Sequence, residues 1–342
     1  MKEQQKLRMM YIDMAKGIGI ILVVYGHCMR NFNEFIRWQC SFFMPLFFIL
    51  SGICYTFPSK NIYLKNNIKK ILKPYYLYAL IGFFIEFLLH RVKGFEIDKT
   101  FYSFVKLLVG VSFWNYPLWF LVCFFVSKTI FDIIMLFSLK MKNFILVQFI
   151  CVMGVFFGGV LLGKFANNYS FFYPFRLDIG LTMIIFIFIG NLSKNIVKGT
   201  KNINRKKIII ILVILLSINL IAYKFNTLVS VNSSDYGNIF LFLISAVSGS
   251  YFVIIFCKIL SESSISIKNK NFLLMRTWNL LGKQSLFILG THAIILSFIA
   301  KGLIVLNYIL KFSVITIDYF KFILCLLILI IICYYLDNNR KE

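Results

Sequence analysis

Apolar positions along this chain neither alternate nor recur at the spacing of a half-buried surface helix. They come in nearly unbroken runs of about twenty residues, separated by short segments rich in Lys and Asn. A helix of that length crosses the roughly 30 Å hydrocarbon core of a bilayer. Ten such runs are read, at 11–30, 40–57, 74–90, 118–137, 144–164, 177–193, 208–224, 239–260, 284–304 and 314–336. Lipid offers no hydrogen-bond partner, so each run must satisfy its own backbone, and a helix does so. The expectation is an all-α, polytopic membrane protein of about ten transmembrane helices. No internal repeat or low-complexity linker divides the pattern, and residues 1–342 are read as a single domain.

Composition agrees: 60% of the 342 residues are hydrophobic, 15% are charged, and 40 are Phe. The net charge of +24 raises a nucleic-acid reading, but the cations sit in short clusters between apolar runs and no nucleic-acid-binding motif is present. The bilayer is the expected partner and nucleic acid is not. Lys and Arg are roughly twice as frequent in the segments that lie inside if the N-terminus is cytoplasmic, so both termini are expected there. Gly17, Gly19 and Gly26 interrupt the first run and no small-residue cleavage site follows, so that run is read as a retained helix, not a signal peptide. The eight cysteines are dispersed, without CxxC or Cys/His spacing, and are read as small buried hydrophobes; no metal site is expected.

Against that apolar background, ionisable residues inside runs stand out, because they are costly in a membrane and usually functional. The first run, "YIDMAKGIGIILVVYGHCMR", carries Asp13, Lys16 and His27. At about 100° per residue, Lys16 and His27 fall on the same helix face, with Asp13 near it and Gly17, Ile20, Val23 and Val24 between. At about 1.5 Å per residue they lie roughly 16 Å apart, Lys16 at the inner interface and His27 in the outer half. Elsewhere, Lys128 and Asp132 form an i,i+4 pair, Glu86 and His90 end the third run, and Arg176 and Asp178 begin the sixth. His292 sits near the middle of the ninth, and Trp119, Trp114 and Tyr116 crowd the outer edge of the fourth.

The stretch "DMAKGIGIILVVYGH" resembles the first helix of the acyltransferase 3 family, of the branch similar to fucose 4-O-acetylases, whose signature is Arg or Lys, ten residues, then His. "FFMPLFFILSG" (42–52), "KKILKPYY" (69–76), "PLWFLVCFF" (117–125) and "LGKQSLFILGTHAII" (281–295) resemble later segments of that family in the same order. The resemblance implies transfer of an acetyl or other acyl group from cytoplasmic acyl-CoA to a sugar hydroxyl of a cell-surface polysaccharide or its lipid-linked precursor, by a multi-pass protein of the cell membrane. Acetyl-CoA is then a co-substrate, with no metal. Lys16, Lys70 and Lys73, with Asp13, are expected at the CoA phosphates. His27 is expected to act as base or acyl carrier. The family's usual glutamate near the WFL segment is absent: Leu121, Val122 and Cys123 stand there. Glu86, Asp178 and the Lys128–Asp132 pair are the nearest acidic candidates by estimated depth, Glu86 and Asp178 ahead of Asp132 because they sit in the outer half with His27. Trp119, Arg176 and His292 are expected at the acceptor. The alternative reading is a transporter or flippase for a lipid-linked saccharide, which the charges at Lys128, Asp132 and Glu86 would also suit.

Overall fold

The computed structural model describes residues 2–31, 33–57, 62–91, 97–110, 115–199, 205–266, 272–310 and 313–339. In chain order the helices are α1 (Lys2–Cys28), α2 (Glu34–Cys40), α3 (Phe43–Ile53), α4 (Tyr63–Asn67), α5 (Lys73–Arg91), α6 (Ile97–Leu108), α7 (Trp119–Ser138), α8 (Phe144–Asn168), α9 (Leu177–Gly199), α10 (Arg205–Phe225), α11 (Ile239–Ser266), α12 (Phe272–Lys283), α13 (Ser285–Leu310) and α14 (Val314–Asn338). Among the described residues nine helical stretches are long and apolar enough to cross a membrane. They match nine of the ten expected runs. The remaining run, 74–90, coincides with α5, in which the side chains of Glu86 and residues 89–91 lie outside the described residues. The protein is an all-α polytopic membrane protein.

Two expected boundaries shift, and proline explains both. The second run is broken into α2 and α3 by a turn at Ser41 and Phe42. Pro45 has no N–H for the Ser41 carbonyl, so one continuous helix would lose that bond and meet a ring clash; Pro45 sits instead in the first turn of α3. The break lets the second span begin at Glu34, where the Asn33 side chain accepts from the Ile36 N–H at 2.9 Å and caps α2. The basic stretch before the third span is not a loop. It is α4 followed by one π-turn, Ile68–Leu72, that runs straight into α5. Pro74 leaves the Lys70 carbonyl without its usual partner, and the wider turn accommodates the loss.

Contacts divide the chain into two compact units. The first holds Met1–Leu50, Asn195–Val229 and Gly237–Glu342. Its central helix is α1, which packs against α11, α12, α13 and α14. Glycine permits the closest approach: a Cβ on Gly282 would lie 1.6 Å from the Asp13 carbonyl oxygen, and one on Gly17 2.0 Å from that of Trp278. Small residues at such crossings let two backbones touch, a common way for helices to associate in lipid. α2, α10 and α11 are joined by polar groups: the Trp38 indole N–H donates to the Asn219 side chain at 2.5 Å, and that amide donates to the Ser245 carbonyl at 2.8 Å. α10 and α14 instead expose rows of Ile, Leu and Val, such as Ile210, Val213, Ile214 and Ile221 on α10, as lipid-facing helices do.

The second unit holds Ser51–Lys194 and Ser230–Tyr236, arranged around α7. The expected Lys128–Asp132 pair is present and has further partners. Buried Asp132 accepts from Lys128 at 2.5 and 2.6 Å, from the Tyr55 hydroxyl at 2.8 Å and from the Asn67 amide at 2.8 Å. A buried carboxylate surrounded by donors in this way ties α4 to α7.

Candidate active site

The last turn of α1 carries His27, and α13 carries His292. The two rings stack, with centroids 5.2 Å apart and planes at 25°. His27 is half-buried; His292 is fully buried, with Nδ1 2.8 Å from the Ile288 carbonyl oxygen and Nε2 without a hydrogen-bond partner. Gln39 of α2 lies against α1 one residue before His27: a Cβ on Gly26 would come 2.8 Å from its Nε2. Gln39 is also fully buried, and neither of its amide atoms has a partner.

The end of a helix leaves carbonyls unpaired. Here α14 supplies the missing groups. Lys321 donates to the Cys28 carbonyl at 2.8 Å, and Asp318 accepts from the Arg30 backbone N–H at 2.9 Å. Asp318 also pairs with Lys321 at 2.7 Å and with Arg30 Nε at 3.1 Å. The Tyr25 ring meets Phe322 edge-on at 5.2 Å. The chain just after His27 is thus held by charged groups of α14, and the Tyr25 ring just before it by Phe322. None of these was a site residue in the sequence reading. The available signal was two ionisable residues one turn apart inside an apolar run, Asp318 and Lys321.

At the other end of the apolar part of α1, Lys16 pairs with Asp13 at 3.2 Å, with the lysine side chain about a third exposed at 34%. The stripe between Lys16 and His27 is closed by packing: Ile20, Val23 and Val24 are buried. Half-buried positions lie to one side, at Ile18, Ile21, Leu22 and Tyr25. A buried lysine, Lys258 of α11, donates to the Val197 carbonyl and lies 6.0 Å from the centre of the Tyr11 ring.

The remaining candidates belong to the second unit. Lys70 lies on the π-turn and Lys73 opens α5; both are exposed. Arg176 and Asp178 are buried at the start of α9, 3.8 Å apart. Arg176 donates to the Asn232 carbonyl and lies 4.6 Å from the centre of the Phe172 ring. The Ser234 hydroxyl donates to Asp178 Oδ2, while Asp178 Oδ1 and Arg176 Nε have no hydrogen-bond partner. Phe175 and Arg176 both hold positive φ, 55° and 50°, a costly backbone for side chains of that size. Burial pushes the nearby Tyr236 phenol above its ordinary pKa, so it remains a proton donor. Trp119 opens α7, half-buried, with its ring edge-on to Phe120 at 6.4 Å. The side chain of Glu86, with those of His90 and Trp114, lies outside the described residues. Among the described residues, no three His, Cys, Asp or Glu side chains converge as metal ligands would.

Of the sequence candidates, the structure brings together His27 with His292, Asp13 with Lys16, and Arg176 with Asp178. A family model for an acyltransferase domain matches residues 10–336, almost the whole chain. Comparison with curated proteins and with solved structures returned no match. The match begins at the apolar part of α1 and ends near the last turn of α14, taking in Lys16, His27 and the helix that carries His292; this chain belongs to the acyltransferase 3 family and is a multi-pass membrane acyltransferase.

Proposed function

We propose that the protein transfers an acetyl group from cytoplasmic acetyl-CoA to a sugar hydroxyl of a cell-surface polysaccharide or its lipid-linked precursor, as the fucose 4-O-acetylase-like branch does. The observation that carries this reading is the stacking of the His27 and His292 rings at the C-terminal end of α1, with His27 eleven positions along the same helix from Lys16. With both termini cytoplasmic, Lys16 stands at the inner interface. CoA presents several phosphate charges there, and Lys16, Lys70 and Lys73 are the cations assigned to them, with Asp13 orienting Lys16. His27 supplies a nitrogen lone pair where the thioester carbonyl arrives, either as general base on the acceptor hydroxyl or as the group that holds the acyl chain.

The acceptor side is assigned to Arg176, Asp178 and Trp119. A guanidinium and a carboxylate bond sugar hydroxyls as donor and acceptor, and an indole stacks on a pyranose face. Asp178 and Glu86 are also the carboxylates proposed to steady the reacting base. Asp132, which suited a transporter, is engaged by three donor side chains and needs no transported ion to explain it.

The test is mass spectrometry of surface glycans from cells with and without the gene. Loss of base-labile O-acetyl groups on deletion, restored by the wild-type protein and not by His27→Ala, is the expected result. Unchanged glycan acetylation would remove the proposed acceptor class.

A further inference from the structure

His292 Nδ1 faces the Ile288 carbonyl oxygen at 2.8 Å. A carbonyl only accepts, so Nδ1 carries the proton, and in the neutral ring Nε2 carries a lone pair. That atom is buried and has no hydrogen-bond partner. Leaving a buried acceptor unpaired is unfavourable, and buried polar side chains are nearly always satisfied. Here the unpaired atom belongs to a ring stacked on His27. In direct transfer from thioester to hydroxyl one base is enough. A second basic nitrogen beside the first is needed when the first is occupied.

We propose that His292 Nε2 is the general base for the acceptor hydroxyl in a two-step transfer whose acyl carrier is His27. This inference rests on the acyltransferase reading above. In the first step a His27 nitrogen attacks the thioester carbon. The N–C bond forms, the C–S bond breaks, and CoA leaves as thiolate, taking the imidazole N–H proton to become the thiol. In the second step the acceptor oxygen attacks the acyl carbon while His292 Nε2 takes the hydroxyl proton. The O–C bond forms, the N–C bond breaks, and the proton passes from His292 to the departing His27 nitrogen. Both rings end neutral. The Ile288 carbonyl keeps the His292 lone pair on Nε2, the one nitrogen without a partner. His292 is thereby a catalytic residue, and not only the acceptor-binding residue expected from sequence.

The experiment uses purified full-length protein in nanodiscs, acetyl-CoA as donor and water as the acceptor hydroxyl. His292→Asn is the informative variant, because its amide keeps an N–H toward Ile288 and lacks the Nε2 lone pair. Release of CoA thiol is followed through the first turnover and at steady state, and the protein is then analysed by peptide mass spectrometry. The expected result is a first-turnover burst like that of wild type, steady-state release lower by about 100-fold or more, and acetyl retained on His27. Added imidazoles should restore steady-state release to His292→Gly, faster with more basic imidazoles, which a packing role would not produce. Steady-state release by His292→Asn within about threefold of wild type overturns the proposal. So does loss of the burst with CoA binding intact, because His292 would then act before the acceptor step. Absence of CoA release by wild-type protein that binds CoA also overturns the proposal, because acyl transfer to His27 needs no acceptor hydroxyl; the acyltransferase reading on which it rests fails separately, if glycan acetylation is unchanged when the gene is deleted.

Discussion

His27 on α1 and His292 on α13 face each other ring to ring, centroids 5.2 Å apart. The two residues belong to the two histidine-bearing segments that resemble the acyltransferase 3 family, one at each end of the chain. Folding stacks them on one another. Burial on the α13 side and partial exposure on the α1 side give the pair one protected member and one approachable one.

The α14 groups that cap α1 should matter through His27. Asp318→Asn and Lys321→Met are expected to lower kcat by about 10- to 100-fold, since small displacements of a reacting group are costly. KM for acetyl-CoA should stay nearly constant, and Lys321→Arg should retain most activity by reaching the Cys28 carbonyl. Steady-state kinetics in nanodiscs separates the cases: equal changes in kcat and KM, or failure of the arginine variant, would mean general disruption.

Gln39 buries an amide with no partner at either atom, which costs about 1–3 kcal/mol. Gln39→Leu removes that cost in similar volume. The variant should unfold at higher temperature and turn over acetyl-CoA more slowly, because an unsatisfied amide packed on α1 at Gly26 is a donor available to a carbonyl held at His27. Thermal unfolding and CoA release measured on the same sample check both halves. A more stable variant with full activity would make Gln39 a packing residue.

Gly282→Ala should greatly reduce the amount of folded protein, because the added carbon would sit 1.6 Å from the Asp13 carbonyl oxygen and force α12 from α1. Gly302→Ala is the matched control: nothing lies within 4 Å of its Cβ position, and the change should be silent or slightly stabilising. Size-exclusion profiles of fluorescent fusions give the answer.

Lys16→Ala leaves the largely buried Asp13 carboxylate without its cation, so lost affinity would be mixed with lost stability. The double change Asp13→Asn with Lys16→Gln avoids this. Calorimetry should show CoA binding weakened in the double variant, and largely kept in Lys16→Arg, whose guanidinium also grips phosphate. Equal affinity in all three proteins would take Lys16 out of the CoA site.

Spans were legible in the sequence because lipid demands about twenty apolar residues in a row, whatever the tertiary fold. α12 was not: Met275, Leu280 and Leu281 face inward while Leu273, Leu274 and Arg276 are exposed, and so short an amphipathic pattern reads as a basic loop. His27 was legible as an ionisable residue inside a run, and Asp13 with Lys16 as neighbours on one helix. The stacking of His292 on His27 was not, because a contact between helices at opposite ends of the chain leaves no mark in local spacing. From spacing alone His292 falls to the acceptor and a carboxylate is expected beside His27. The ring stacked on His27 is the His292 imidazole; Asp178, bonded by Ser234 and paired with Arg176, stays with Glu86 as the carboxylate proposed for the base.

The proposed role of His27 is to move an acyl group out of acyl-CoA. It is tested most directly by incubating purified wild-type protein and His27→Ala, both shown monodisperse and both binding CoA, with acetyl-CoA labelled in the acetyl group, and counting CoA thiol released. Wild type should release thiol over many turnovers, and His27→Ala should fall to the rate of acetyl-CoA alone. Equal release by the two proteins would mean that His27 does not carry the transfer.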